Sequence, residues 1–155
     1  MQDARSGYPP GRRSFSMWIF VACGFWLAGL GMYFAFLRPP LLPEDPRYIG
    51  STLPAIQAAL PGLGRWLSHV FRVMGGFMAA AGALTAFVAV TSVRVRTPGT
   101  AWILALVGTL TVGLMSATNF ALDSDFKWAL FAPVVLWLAG LVSYLSNPRV
   151  EGNDE

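Results

Sequence analysis

Four long runs of apolar residues, at about 16–37, 66–93, 100–122 and 126–146, dominate this chain and leave few folds open to it. A helix that crosses a bilayer needs about 20 predominantly apolar residues, and the first run contains no charged residue at all. A soluble domain carries about 25% charged residues. Here only 12% are charged and 55% are apolar, too few charges to cover a soluble globule of 155 residues. Backbone surrounded by lipid must satisfy its own hydrogen bonds, which a helix does internally. The expected fold is therefore all-α: a four-helix transmembrane bundle formed as one domain over residues 16–146, with tails at 1–15 and 147–155.

The boundaries have local chemical causes. Arg38-Pro39-Pro40 ends the first run, because proline cannot continue the hydrogen-bond ladder and restricts the residue before it. Arg94, Arg96 and Pro98-Gly99 make a short basic connection between the second and third runs. Asp123-Ser124-Asp125 separates the third from the fourth, with Ser124 or Asp125 as the cap of the last helix. Asn147-Pro148 ends that helix, and Pro133 sits one turn inside it, tolerable where neighbours satisfy the freed carbonyl. The longest connection is residues 38–65. Within it Ser51-Thr52-Leu53-Pro54 reads as a helix start, Ala55 to Leu60 as a short helix on the membrane surface, and Pro61-Gly62 as its end. Glu44, Asp45 and Arg47 read as solvated charges that could close over the outer end of the bundle. The tails, rich in Gly, Pro, Asp and Glu, read as lightly ordered.

Basic residues set the expected orientation. The amino tail carries Arg5, Arg12 and Arg13, the second connection Arg94 and Arg96, and the carboxy tail Arg149. The first connection offsets Arg38, Arg47 and Arg65 with two acids, and the third has Lys127 beside two aspartates. The positive-inside rule then puts both termini in the cytoplasm of a cell whose inner (plasma) membrane holds the protein. Trp18, Trp102 and Tyr144 fall at the inner interface and Tyr33, Trp66 and Trp128 at the outer one, as aromatic belts do. Arg12-Arg13-Ser14-Phe15 has part of a twin-arginine export signal, and Phe20-Val21-Ala22-Cys23 loosely matches a lipoprotein box. The apolar run continues past Cys23 to Leu37 without a small-residue cleavage site, so an uncleaved first span is expected.

Several chemistries have no basis here. Cys23 is the single cysteine, so an intramolecular disulfide and cysteine-pair zinc or redox chemistry are excluded. No phosphate loop, dinucleotide motif, nucleophile elbow or zinc pattern occurs. The net charge of +3 sits in tails and connections, giving no footing for nucleic acid, and no cofactor or metal is expected.

Helices in lipid associate through small residues and interhelical hydrogen bonds. The second run has a stripe at His69, Arg72, Gly76, Ala79, Ala83 and Ala86, and the third has one at Ala105, Thr109, Val112, Ser116, Asn119 and Asp123. Spacings of three and four keep each stripe on one helical face. The short connection makes these helices antiparallel neighbours, so the stripes are expected to face each other or the bundle centre. At about 1.5 Å per residue, Arg72 lies roughly 32 Å from Val93, and Asn119 and Asp123 roughly 29 and 35 Å from Thr100. The expected polar cluster is His69, Arg72, Asn119 and Asp123, joined by Asp125, with Arg72–Asp123 as its ion pair. Such a bridge can pin two helices together, or it can form part of a ligand or proton site. His69 lacks a second metal-ligating partner at suitable spacing, although its titration range suits proton handling.

Arg72-Val73-Met74-Gly75-Gly76 followed by a small-residue helix, and Asn119-Phe120-Ala121-Leu122-Asp123 leading into a final apolar run, resemble the DoxX-like group of small bacterial four-helix membrane proteins. The resemblance covers most of the chain through short motifs. It implies an association with quinone-linked sulfur oxidation or membrane redox complexes, although many members of the group have no assigned activity. Two classes of function follow. One is a non-catalytic small subunit or scaffold that packs against a membrane partner or a second copy of itself. The other is a binding or carrier protein for a small lipophilic molecule such as a quinone, or the quinone-pocket subunit of a redox complex.

Overall fold

The computed structural model describes the backbone of residues 11–146 and the side chains of residues 15–146. The readings that fall on the tails, Asn147-Pro148 and the side chains of Arg12 and Arg13 lie outside these. The chain is all-α. Helix α1 (Gly11–Phe36) is followed by two short helices, α2 (Glu44–Ile49) and α3 (Leu53–Ala59). Helix α4 (Leu63–Val88) continues into a π-helical turn over Ala89–Val93. Helix α5 (Thr100–Gly108) passes through a second π-turn, Thr109–Gly113, into α6 (Leu114–Ala121). Helix α7 (Lys127–Leu145) is last and keeps Pro133, buried, in its interior. Four segments are long and apolar enough to cross a membrane: Phe15–Phe36, Leu63–Val93, Thr100–Ala121 and Lys127–Leu145. They are the first to fourth spans of a multi-pass membrane protein packed as a bundle.

The spans pack in the order second, first, fourth, third. The main contact is between the first and second, and the first and third each pack on the fourth. The second and third make little contact although a short connection joins them. This corrects the expected meeting of their stripes. The residues the second span uses are Gly75, Ala79, Gly82 and Ala86, set against Gly24, Ala28, Gly31 and Ala35 of the first. Both sets carry the spacing four, three, four, and they mesh antiparallel. A Cβ on Gly24 would come 2.7 Å from the Gly82 carbonyl oxygen and 2.8 Å from the Ala86 nitrogen. Cβ atoms on Gly31, Gly75 and Gly82 would likewise run into the facing backbone. Only glycine permits this approach, the way helices gain close packing in lipid. Gly76 of the expected stripe has nothing within 4 Å of its Cβ position, and Ala83 is exposed.

The third-span stripe also fails to hold one face, for a different reason. A π-turn closes five residues back, so the side chains beyond it are rotated relative to a regular helix. The Leu114 N–H accordingly donates to the Thr109 carbonyl. The buried positions there are Leu104, Gly108, Val112 and Ser116, four apart throughout, whereas Thr109 is exposed.

The core lies toward the end of the bundle where α1 begins and α7 ends. Phe20, Cys23, Ala89, Val93, Leu104, Val112, Trp137 and Tyr144 draw on all four spans. Trp137 packs onto Gly108, its indole N–H donates to the Leu104 carbonyl at 2.9 Å, and its ring meets Phe20 edge to face at 5.5 Å. Tyr144, expected in the interfacial belt, is buried instead. Its ring lies beneath the Arg96 guanidinium, which also donates to the Tyr144 carbonyl at 2.7 Å. That carbonyl is one of the last four of α7 and has no partner within its helix, so Arg96 caps the fourth span. Trp18, Trp66, Trp102 and Trp128 are exposed, as belt residues are.

Candidate functional site: an apolar cleft between the second and third spans

Because the second and third spans stand apart, a cleft of about 550 Å³ runs between them. The first span forms its floor with Leu27 and Phe34. Phe71, Met74, Phe77, Met78 and Ala81 make one wall. Leu110, Thr111, Leu114, Met115, Thr118, Asn119 and Leu122 make the other. Rim residues Phe77, Leu110 and Leu114 are 74, 60 and 59% exposed, so the cleft opens sideways, toward lipid. From Phe71 to Ala81 it extends about 15 Å along the helix axis, roughly half the hydrocarbon thickness. Its volume falls within the range of small-molecule sites, about 300–1,000 Å³. Long side chains on both walls hold the helices apart, while the fit of Trp137 onto Gly108 draws the third span toward the fourth.

The loop end of the bundle is tied by polar contacts. Ser124, buried, donates to Glu44 Oε1 at 3.0 Å and accepts the Phe126 N–H at 3.2 Å. Arg47 pairs with Asp125 at 3.2 Å. Helix α2 is thereby fastened to the turn between the third and fourth spans. Glu44, expected to be solvated, is buried by this contact. Thr52 caps α3 by accepting the Ala55 N–H at 3.3 Å, matching the helix start read from Ser51-Thr52-Leu53-Pro54.

Arg38 lies over the Phe71 ring at 3.7 Å and the Phe34 ring at 5.2 Å, with Asp45 at 3.8 Å. Burial pulls its pKa down, and the nearby Asp45 carboxylate opposes that shift. A guanidinium starts so high that it stays cationic at neutral pH. The cation and the two rings cover the first-span side of the cleft's loop end.

The five residues of the expected cluster separate. Asn119 lines the cleft, with its amide nitrogen donating to the Met115 carbonyl at 2.9 Å. His69 lines a shallow groove on the outer face of the second span, beyond the ridge of Met74, Phe77 and Met78. Arg72 is exposed, takes part in none of the ion pairs among the described residues, and lies on the far side of its helix from the cleft. Asp123 pairs with Lys127, the nearer cation four residues on across the short connection, so the expected Arg72–Asp123 bridge is not formed. That contact holds the Asp123 carboxyl below its usual range. Asp125 faces Arg47. Among the described residues no three His, Cys, Asp or Glu side chains gather at one point.

The cleft itself was not anticipated from the sequence. Its one visible signal is the set Phe71, Met74, Phe77 and Met78, long side chains on the face of the second span away from its glycines.

No family model, curated protein or solved structure matches the chain. Its likeness to the DoxX-like group is one of architecture alone: four apolar spans in a helical membrane protein.

Proposed function

We propose that this protein binds the apolar chain of a lipid-soluble molecule in the cleft between its second and third spans, as a non-catalytic binding or carrier component of its membrane. The sideways-opening cleft of about 550 Å³ is the observation that carries this reading. An apolar cavity in contact with hydrocarbon fills with hydrocarbon, and its shape then decides which chains it holds longest. Polarizable, flexible methionines (here Met74, Met78 and Met115) suit a wall that adapts to its occupant. The arginines of the termini end support an orientation with both termini cytoplasmic in the cell's inner membrane. The resemblance of short motifs to the DoxX-like group adds a quinone to the molecules to test.

The alternative is a small subunit or scaffold, and it has its own observation. Gly76 and Ala83 lie seven apart on the second span, exposed and unused by the first, where a partner helix or a second copy could approach closely.

Native mass spectrometry on protein gently extracted from its host membrane separates the two. Ala81→Trp fills the cleft, and Ala83→Trp blocks the free small-residue face. The binding reading expects a copurifying lipophile that Ala81→Trp removes and Ala83→Trp leaves in place. A defined protein partner lost only in Ala83→Trp, with no small molecule in either, overturns it in favour of the scaffold.

A further inference from the structure

Thr118 and Asn119 stand side by side on the cleft wall near its loop end, and both have hydrogen-bonding capacity to spare. The hydroxyls of Thr85, Thr91, Thr109 and Thr111 each donate to the carbonyl four residues back, at 2.6–2.9 Å. This is the usual way for a threonine in a helix to satisfy itself. Thr118 makes no such bond, although it sits in a regular stretch of helix and the Leu114 carbonyl lies four residues behind it. Asn119 spends one amide hydrogen on the Met115 carbonyl, and no described residue donates to its Oδ1. Neither residue is buried, Thr118 being exposed and Asn119 half-buried on the cleft wall, so both groups are open to a molecule that enters the cleft. Two such groups on adjacent residues, at one end of an otherwise apolar cleft, form a polar subsite.

The chemistry of that subsite is defined by what surrounds it. It offers an acceptor in Asn119 Oδ1 and both a donor and an acceptor in the Thr118 hydroxyl. No side chain lining the cleft is ionisable. At its loop end Arg38 faces two rings and Asp45, Asp123 pairs with Lys127 and Arg47 with Asp125, while Arg72, outside these pairs, lies on the far side of its helix from the cleft. A charged head group would enter the cleft without a counter-charge.

We infer that the occupant of the cleft is a single-chain amphiphile with a neutral hydrogen-bonding head, an alcohol or a hydroxylated carbonyl compound. Its head binds Thr118 and Asn119 at the loop end, and its chain runs toward Leu27, Ala81 and Leu110. This rests on the binding reading above. The direction agrees with the depth of the site, because the subsite lies near the interface and the other end of the cleft, at Ala81 and Leu110, lies deeper in the bilayer.

The test uses the full chain in lipid nanodiscs and two diazirine-bearing probes of equal chain length, a long-chain primary alcohol and the corresponding alkyl sulfate. Photolabelling is quantified by intact mass and mapped by peptide. The alcohol is expected to label the cleft walls several times more than the sulfate. Thr118→Val and Asn119→Leu, both close in shape to the originals, are each expected to lower alcohol labelling about three- to tenfold and leave sulfate labelling unchanged. Alcohol labelling unmoved by either substitution, or sulfate labelling equal to it, overturns the head-group assignment and leaves the cleft as a chain-binding site. Absence of cleft labelling by both probes overturns the binding reading itself.

Discussion

On one side the second span lies backbone to backbone against the first; on the other it stands clear of the third, with a cleft between. Both sides are apolar, so hydrophobicity does not distinguish them, and in lipid it supplies little attraction between helices anyway. The difference is side-chain size. Gly75, Ala79, Gly82 and Ala86 let two helices touch along their length. Phe71, Met74, Phe77 and Met78 hold the opposite face away from Leu110, Leu114 and Met115. Closeness at one seam makes the first two spans a rigid unit, and the space at the other seam is available to a ligand.

The largest expected effect breaks the closed seam. Gly82→Leu forces side-chain atoms into the backbone of the first span at Gly24 and Ala28. Overpacking against side chains typically costs about 1–3 kcal/mol, and a clash with fixed backbone at both Gly24 and Ala28 exceeds that range. Thermal unfolding in detergent is expected to show a large loss of stability or no folded protein. Gly76→Leu, one residue from Gly75 but with open space at its Cβ, is expected to melt like the parent. Equal damage from both substitutions would remove the basis of the comparison.

Next in size is the anchor that keeps the third span on the fourth. Trp137→Ala opens a cavity against Gly108 and Phe20 and is expected to cost about 3–5 kcal/mol. Trp137→Phe keeps most of the ring but strips the Leu104 carbonyl of its indole donor, for about 1 kcal/mol. If the pull of Trp137 helps hold the cleft open, both variants should also lower the amount of lipophile that copurifies, in the same order as their stabilities.

How much of this was legible in the sequence follows the same division. The four spans, their short connections and the start of α3 depend on apolar run length, proline and a capping threonine, all local features. The closed seam was also written in the chain, as the spacing four, three, four at Gly24, Ala28, Gly31 and Ala35 and again at Gly75, Ala79, Gly82 and Ala86. A stripe shifted by one residue, containing Gly76 and Ala83, reads equally well on one helix alone. Comparing the two runs, not extending one, identifies the partner. Adjacency in sequence pointed to the third span instead, because a short connection brings helix ends together without fixing which faces meet. The π-turn at Thr109–Gly113 rotates the residues beyond it, which a regular helical period cannot anticipate. The polar cluster rests on the two stripes and on depth. Depth does place Asn119 and Arg72 at one level, but direction around the helix separates them, and Asp123 has a nearer cation in Lys127.

A smaller effect concerns the strap over the loop end. Ser124→Ala leaves the buried Glu44 carboxylate without its hydroxyl donor and the Phe126 N–H without its acceptor. An unsatisfied buried group costs about 1–3 kcal/mol, expressed here as local release of α2 rather than unfolding of the spans. Limited proteolysis at residues 38–65 should accelerate while the melting temperature of the bundle moves little. A bundle that unfolds together with the strap would show that the loop end, and not the glycine seam, holds the spans in place.

The smallest effect tests whether charge at the loop end contributes to either seam. Asp123 sits in the left-handed region with φ 50°, which Asp and Asn tolerate better than most residues, and its carboxylate accepts from Lys127 at the start of the fourth span. The pair lies at the connection between the third and fourth spans and reaches no other part of the bundle. Because Lys127 lowers the Asp123 pKa in the folded protein, the contact is present above the ordinary carboxylate range, near 3.9, and is lost as pH falls through the lowered folded value. The Asp123 side chain is fully exposed in that contact, so its loss is expected to leave the melting temperature unchanged within error. NMR titration of the labelled aspartates should find the Asp123 midpoint below the ordinary value and returning toward it in Lys127→Ala. Asp123→Asn keeps a residue suited to the positive φ and should melt with the parent at neutral pH. A measurable drop for Asp123→Asn would mean that the ion pair stabilises more than the connection it spans, and that the open seam is held partly by charge.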